Sequence, residues 1–531
     1  MRLLPTITLV SALLFNAPGF IAAQDNEVLF LKALNAINVD VLKAQTGFLA
    51  SDWMEGRRTG EKGEFMAADY IASMLQLYGV KPYGDLQMTG SVASQGYFQN
   101  FTILKTSPVG DQSLRIIERK GDGEKITECV PYTDFIINRQ LQNVVIEAPV
   151  VFVGYGFRNS RLKYDDLRSA DLQGKIILKL SGIPDIARTS LTASEISASV
   201  AESEAFLKEA GALAVMEFDP GRLIAASVAA PDFMQMSPAE LRPVPQGTSA
   251  YWSLPAAGSS AEPVRIRVSS RVASVLLAGT GVDIDEYRRL AAVNKAKPAT
   301  AGYGISVRLG SAVTTTQIAS RNILGIIEGE KRNEIIVIGA HYDHMGISDG
   351  YIWNGADDNA SGSVGVLTLA KALMECGKKP AKTIVFAFWS GEEQGLLGSR
   401  HFVRNLPFPA SNIRLNLNYD MISRYISPEE TKRVTMTYTD SFPWFRELTQ
   451  DNLIKYDIDL DIDYQPSSDP PGGTDHRSFV AVGIPVMRFK PGHREEYHTP
   501  SDETETLDWD IMEKIIKISF ANIRILSEKD W

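Results

Sequence analysis

The sequence predicts an α/β protein, and three observations predict it. Short β-branched or aromatic runs at 335–338, 383–389, 415–419 and 484–489 are too short for helices and read as buried strands. Helix-type stretches separate them, one opened by Ser361 and carrying Val364, Leu367 and Leu373. Each strand run is followed by acids or histidines, and open α/β sheets collect ligands at the carboxyl ends of their strands.

The chain is organised around 335–362, reading IIVIGAHYDHMG and, after a polar loop, NGADDNASG. The strand 335–338 ends in Gly339-Ala340 and delivers His341-x-Asp343, a spacing that suits a metal ligand and a carboxylate that orients it. Asp357-Asp358-Asn359 then precedes the helix. Taken alone, either half is also explained by a capped helix whose acids complement the helix dipole. Three signals downstream shift the balance. The run 383–389 ends in Ser390-Gly391-Glu392-Glu393, two adjacent carboxylates ill suited to packing; 415–419 ends in Asp420; and 484–489 is followed by Tyr497-His498-Thr-Pro-Ser-Asp502. Five candidate ligands emerge: His341, Asp358, Glu393, Asp420 and His498.

The ordered set HxD, GADDNASG, GEEQGLLGS, NYDM and YHTPSD resembles the co-catalytic di-zinc exopeptidases, which include bacterial aminopeptidases and glutamate carboxypeptidase-like enzymes. It spans nearly all of 310–531. The resemblance implies a mixed, twisted sheet flanked by helices and a cofactor of two Zn²⁺. Asp358 would bridge the ions, with His341 and Asp420 completing one site and Glu393 and His498 the other. Glu392 would be the general base, Asp343 the partner that orients His341, and Tyr497 a group steadying the tetrahedral intermediate. His476, in GGTDHRSF, resembles a family loop near the site; lining the pocket and shaping a turn are equally open for it. No ligand position departs from the family pattern.

Such a site is chemically coherent. Zinc takes nitrogen and oxygen ligands and, when catalytic, leaves a position for water. The charge of two such ions exceeds that of three ionised carboxylates, which favours hydroxide over water at neutral pH. A base that takes the water's proton and returns it to the leaving amine works best with a raised pKa.

The remaining sequence bounds the function. A length of 531 residues allows two or three domains, and 44% hydrophobic with 22% charged residues is a globular composition. The net charge of −10 argues against nucleic acid or an anionic membrane as partner. Residues 1–23 read as a signal peptide: Arg2, an apolar stretch, then Ala22-Ala23 before polar residues. Asn16, Pro18 and Gly19 interrupt the span, which argues against a membrane anchor. The mature chain is expected to be exported, periplasmic or extracellular, without a transmembrane segment and acting on peptides. Cys129 and Cys376 lie in different expected domains and read as two unpaired thiols.

Residues 24–127 are expected to form the N-terminal part of the catalytic domain. Phe65, Ala68, Ile71, Ala72 and Leu75 fall at helical spacing, and the segment 55–60 resembles the family's access loop. Residues 128–300 change character, with strand runs at 150–156, 174–180, 212–218 and 264–268, a helix over 197–210 and almost no histidine or paired acid at a strand end. The stretch GYGFRN through YDDLRSADLQGKIILKL resembles a protease-associated domain, a β-rich insert in these exopeptidases that would shape substrate access, bind partners or serve packing alone. Residues 301–531 hold the main part of the catalytic domain. His344 is expected at the surface or behind a ligand, and His401 and His493 at the surface. Asp457, Asp459, Asp461 and Asp463 are expected along one solvated strand face.

The expectation is thus an exported di-zinc aminopeptidase. The alternatives are a carboxypeptidase or dipeptidase of the same family, a one-zinc glutaminyl cyclase, disfavoured by the full ligand set, and a receptor-like homologue without catalysis. Side-chain specificity and oligomeric state are not written in the motifs.

Overall fold

The structure, a computed structural model, describes residues 18–531 apart from 90–91, 121–122, 139–142, 169, 221–249, 256–262, 297–304, 349 and 493. Residues 1–17 of the expected signal, and His493, lie outside the described residues. The chain forms two compact units: one holds the described residues up to Phe101 together with Ala319–Trp531, the other the described residues within 102–318. The second unit takes in the expected insert, 128–300, and adds the strand-type sequence on either side of it.

The first unit is built on a mixed sheet. Lys331–His341 lies between Lys382–Trp389 and Ile413–Tyr419, parallel to both, and Val486–Lys490 continues the parallel set beyond Ile413–Tyr419. Arg433–Thr439 adds antiparallel to that strand, with Asp461–Ser467 at the edge beyond it. On the opposite side, residues 323–327 and then Lys81–Pro82 add antiparallel. The sheet is mixed and flanked by helices, as the sequence predicts.

The β-branched run of the central strand is buried on both faces. Ile336 and Ile338 join a core with Leu42, Ile71, Val364, Leu367 and Ile515, whereas Ile335 and Val337 pack with Trp389, Phe402 and Phe479. The alternation follows from the period of two along a strand. Helix Gly362–Glu375 is buried along almost its whole length, which explains its near-continuous apolar sequence. Helix Lys62–Leu77 presents Ala68, Ile71 and Leu75 to the same core. Truncating one such side chain to Ala typically costs ~2–5 kcal/mol.

In the second unit, Val144–Phe152, Ile176–Leu180, Ala214–Phe218 and Val264–Val268 run parallel. Phe135–Asn138 closes one edge antiparallel, and residues 306–311 pair antiparallel with Val144–Phe152 on the other. Helix Ala193–Glu209 opens with a capping box between Thr192 and Glu195. Buried Asp166 accepts hydrogen bonds from Tyr287 Oη at 2.7 Å, Tyr164 Oη at 3.2 Å and the Tyr155 N–H at 2.9 Å. Both cysteines are unpaired, as expected, and the structure buries them. No described helix is long and apolar enough to cross a membrane.

Candidate metal site

The residues singled out from the sequence converge at the carboxyl ends of the parallel strands. Lys331–His341 delivers His341 at its last position, and Lys382–Trp389 leads through Ser390 and Gly391 into Glu392 and Glu393. Asp420 follows Ile413–Tyr419, and Val486–Lys490 leads into the segment carrying Tyr497 and His498.

Asp358 lies at the centre. Its Oδ1 is 3.3 Å from His341 Nε2, and its Oδ2 is 3.1 Å from His498 Nε2. His341 Nε2 is 3.7 Å from Asp420 Oδ1, while His498 Nε2 is 3.3 Å from Glu393 Oε2. One carboxylate therefore faces two groups of donors with its two oxygens. In each of the sets His341–Asp358–Asp420 and His344–Asp358–Glu393, the donor atoms all lie within 4.8 Å of one another. Imidazole nitrogen and carboxylate oxygen are what zinc accepts, so the residues fit a metal site.

The electrostatics agree. Burial alone would lower His498, yet the carboxylates of Asp358 and Glu393 raise it to about 10. His341, also opposed by burial, is raised well above the usual range by Glu392, Asp358 and Asp420. Burial pushes Asp420 up, but His341 outweighs it and holds the carboxylate down at about 2. The cluster thus draws positive charge, whether as protons on imidazole or as a cation. Glu392 behaves differently: burial, reinforced by Glu393 and Asp475, pushes its carboxyl well above the usual range. It opens on a cleft of about 510 Å³ whose lining includes Glu393, Arg400, Arg477, Tyr497 and His498. The Tyr497 ring stacks on His498 with centroids 3.8 Å apart.

A buried frame holds these groups. Asp343 sits behind His341, whose Nδ1 is 3.2 Å from the Asp343 carbonyl oxygen and 3.8 Å from its Oδ1. Asp343 itself accepts from Thr59 Oγ1 at 2.9 Å and from the Glu392 N–H at 3.1 Å. Asp502 accepts the N–H groups of Asp357 at 2.9 Å and Asp358 at 3.0 Å, and pairs with buried Arg424 at 2.5 Å. Asn359 Oδ1 accepts from the Gly362 and Met421 N–H groups, tying the turn to the segment after Asp420. Arg57, 1% exposed, donates to the carbonyls of Leu49, Tyr342, Asn354 and Gly355. Glu64 accepts from the Gly60 N–H at 2.6 Å and pairs with Ser390 Oγ beneath the Glu392–Glu393 loop; burial, with Asp343 nearby, raises its carboxyl to about 8.

Other expectations are resolved or change. Of the two places expected for His344, the structure gives the one behind a candidate ligand: it is fully buried, with Nδ1 2.8 Å from Glu393 Oε1. His476 is buried too, and its Nε2 donates to the carbonyls of Pro470 and Pro471, which fixes the turn 470–473. His401 is half-buried and stacks on Phe101, centroids 4.7 Å apart. Asp457 and Asp459 precede the edge strand, which begins at Asp461, so the four acids do not share one strand face. Sequence reasoning did not single out Arg57, Glu64, Arg424 or Asp502 as supports. Glu64 alone carried a readable signal, a charge at i, i+4, i+7 register with apolar Ala68 and Ile71.

Fold and site together define an α/β protein with candidate metal donors at its strand ends, and residues 322–523 match the profile of peptidase family M28. Over those residues the chain is similar to the family M28 peptidases. Leupeptin-inactivating enzyme 1 of Streptomyces exfoliatus is 28% identical over 255 residues, 43% of this chain and 53% of that protein. Leucine aminopeptidase 2 of Trichophyton rubrum is 31% identical over 170 residues, 31% of this chain and 32% of that protein. The chain thus spans about half and about a third of the length of these curated relatives. Among solved structures, an aminopeptidase from Aneurinibacillus sp. strain AM-1 shares the fold, with a TM-score of 0.55 at 18% identity, covering 94% of this chain and 97% of that one.

Proposed function

We propose that this protein is an exported zinc-dependent exopeptidase that removes residues from the amino terminus of peptides. The observation that carries the reading is Asp358, whose two oxygens face separate donor groups, His341 with Asp420 and His498 with Glu393. These five residues would hold two zinc ions. Bound there, the ions would polarise the scissile carbonyl and acidify the attacking water.

The chain's own groups supply the rest. Glu392, kept basic by burial, takes the water's proton and returns it to the departing amine. Asp343 holds the ring of His341, and a fixed ring is a better ligand. Tyr497, beside His498 on the cleft wall, donates from its phenol to the oxyanion that develops on the carbonyl. The names of the relatives, a leupeptin-inactivating enzyme and a leucine aminopeptidase, support peptide cleavage. Residues 1–23 would direct export, and 128–300 would be the protease-associated insert, a reading supported by the second unit's separate core.

A second reading, cleavage from the carboxyl terminus, has one observation in its favour. Arg400 and Arg477 line the cleft; Arg477 pairs with Asp469, whereas the Arg400 guanidinium has no partner among the described residues. A free guanidinium suits a substrate carboxylate.

The deciding experiment is hydrolysis of aminoacyl-p-nitroanilides and of amino-blocked peptides by zinc-loaded protein, with and without chelator. Chelator-sensitive cleavage restricted to free amino termini is expected. Release of carboxyl-terminal residues from blocked peptides would replace the first reading by the second. Binding of two ions without any cleavage would leave a receptor-like homologue.

A further inference from the structure

Beside the five proposed ligands stands a sixth buried group that their roles leave unused. His344 is fully buried, and its Nδ1 lies 2.8 Å from Glu393 Oε1. Its Nε2 has no partner among the described residues. The ring is confined from several directions. The His344 N–H donates to the Arg57 carbonyl at 3.1 Å, which anchors the backbone beneath the ring. Gly355, at φ +58, lies against it so closely that a Cβ there would come within 2.4 Å of Cδ2 and 2.5 Å of Cγ. Only glycine leaves room for the imidazole. The His498 ring meets it edge-on, with centroids 5.9 Å apart.

This confinement bears on Glu393. One carboxylate oxygen, Oε1, is taken by His344, and the other, Oε2, points to His498 at 3.3 Å. A carboxylate held by a fixed donor on one oxygen has little freedom to rotate, so the same oxygen is always offered to the second donor group. An imidazole whose Nδ1–H is given to Oε1 has no lone pair at that nitrogen for a metal. The Nδ1 is also 4.0 Å from Asp358 Oδ2, close enough that direct ligation is the competing role.

We propose that His344 is a positioning residue for Glu393: it holds Oε1 so that Oε2 completes the zinc site shared with Asp358 and His498. This rests on the metal reading given above. The turn HYDHMG then supports both halves of the site, Asp343 behind His341 and His344 behind Glu393.

The test uses the full chain as wild type, His344→Asn and His344→Leu, each titrated with Zn²⁺ against a chromophoric chelator and loaded with Co²⁺ for absorption spectra. Asparagine puts an amide N–H close to where Nδ1 stands, so this variant is expected to bind both ions within about threefold of wild type, with an unchanged Co²⁺ spectrum. The leucine variant is expected to lose one ion's affinity by about ten- to a hundredfold and to keep the other. Should leucine prevent folding, judged by circular dichroism, His344→Ala carries the same expectation. Wild-type affinity for both ions in the leucine or alanine variant overturns the proposal. A loss in the asparagine variant as deep as in leucine, with an altered Co²⁺ spectrum, overturns it in favour of direct ligation. A wild-type chain that binds no zinc retires the metal reading itself, a result distinct from either.

Discussion

Asp343 accepts a hydrogen bond from the backbone N–H of Glu392 at 3.1 Å. The carboxylate behind the candidate ligand His341 thereby also fixes the start of the loop that carries the candidate base. Its other oxygen takes the Thr59 hydroxyl, so neither is free to reorient. Asp343→Asn replaces an acceptor by a donor at one of these positions. Both zinc affinity and kcat/KM are expected to fall about ten- to a hundredfold, the range for outer partners of metal ligands. Chelator competition and steady-state kinetics check this, and a variant equal to wild type in both would remove Asp343 from the machinery.

Glu392→Gln keeps the size and removes the basic oxygen. Fold and metal content should be retained while kcat drops about 10²–10⁴-fold, the usual contribution of a positioned general base. Zinc analysis alongside turnover separates the two. Full metal with undiminished turnover would falsify the assignment.

His498→Ala should change the stoichiometry instead. Its Nε2 serves Asp358 Oδ2 and Glu393 Oε2 alone among the proposed ligands, and its ring packs on Tyr497, so circular dichroism accompanies the count of ions. Native mass spectrometry of the loaded variant should find one tightly held ion; two would mean that the ligand map is wrong.

Asp502→Ala strips the acceptor from the N–H groups of Asp357 and Asp358 and leaves buried Arg424 short of its nearest partner. Breaking a buried pair on one side costs about 3–5 kcal/mol. Denaturant unfolding of the metal-free protein, followed by tryptophan fluorescence, should record a loss of that size.

The second unit carries a pH dependence of its own. Burial raises Asp166 to about 6, although hydrogen bonds from Tyr287 and Tyr164 pull the other way. The folded state then holds a proton that the unfolded chain has released, so this contribution to stability is full below the unfolded carboxyl range. It is lost as pH rises towards about 6, where the group ionises in the fold as well. Roughly two pKa units correspond to about 3 kcal/mol. Subtracting the stability profile of Asp166→Asn from that of wild type between pH 4 and 7 isolates the change. A flat difference would mean that Asp166 is charged throughout.

The sheet was largely legible because its centre obeys a local rule. The run 335–338 is β-branched and buried on both faces, so composition alone marks it. The positions of His341, Glu393 and Asp420 followed from those strands, since a residue just past a parallel strand has one place to go. The supports were not legible because they act across the sequence. Glu64 meets Ser390 at a separation of 326 residues, and Arg57 meets Tyr342 at 285. Nothing near Arg57 says which carbonyls it will find. His344 was expected at the surface or behind a ligand, and what decides between the two, the space left by Gly355, is not recorded in any pattern around HYDHMG. The misplaced start of the edge strand has a simpler cause. Alternating acids satisfy a period of two whether or not a neighbour pairs with them, and pairing with Arg433–Thr439 begins only at Asp461.

Arg57 also sets a schedule. The guanidinium that gathers the carbonyls of Leu49, Tyr342, Asn354 and Gly355 is synthesised long before three of them exist. Until the ribosome has delivered the HYDHMG turn and the loop that follows, the early segment has nothing to clasp, and those later loops have no floor. The ground beneath the candidate donors is therefore closed only when segments 285 to 298 positions apart have met, so this part of the fold and the candidate site are completed together.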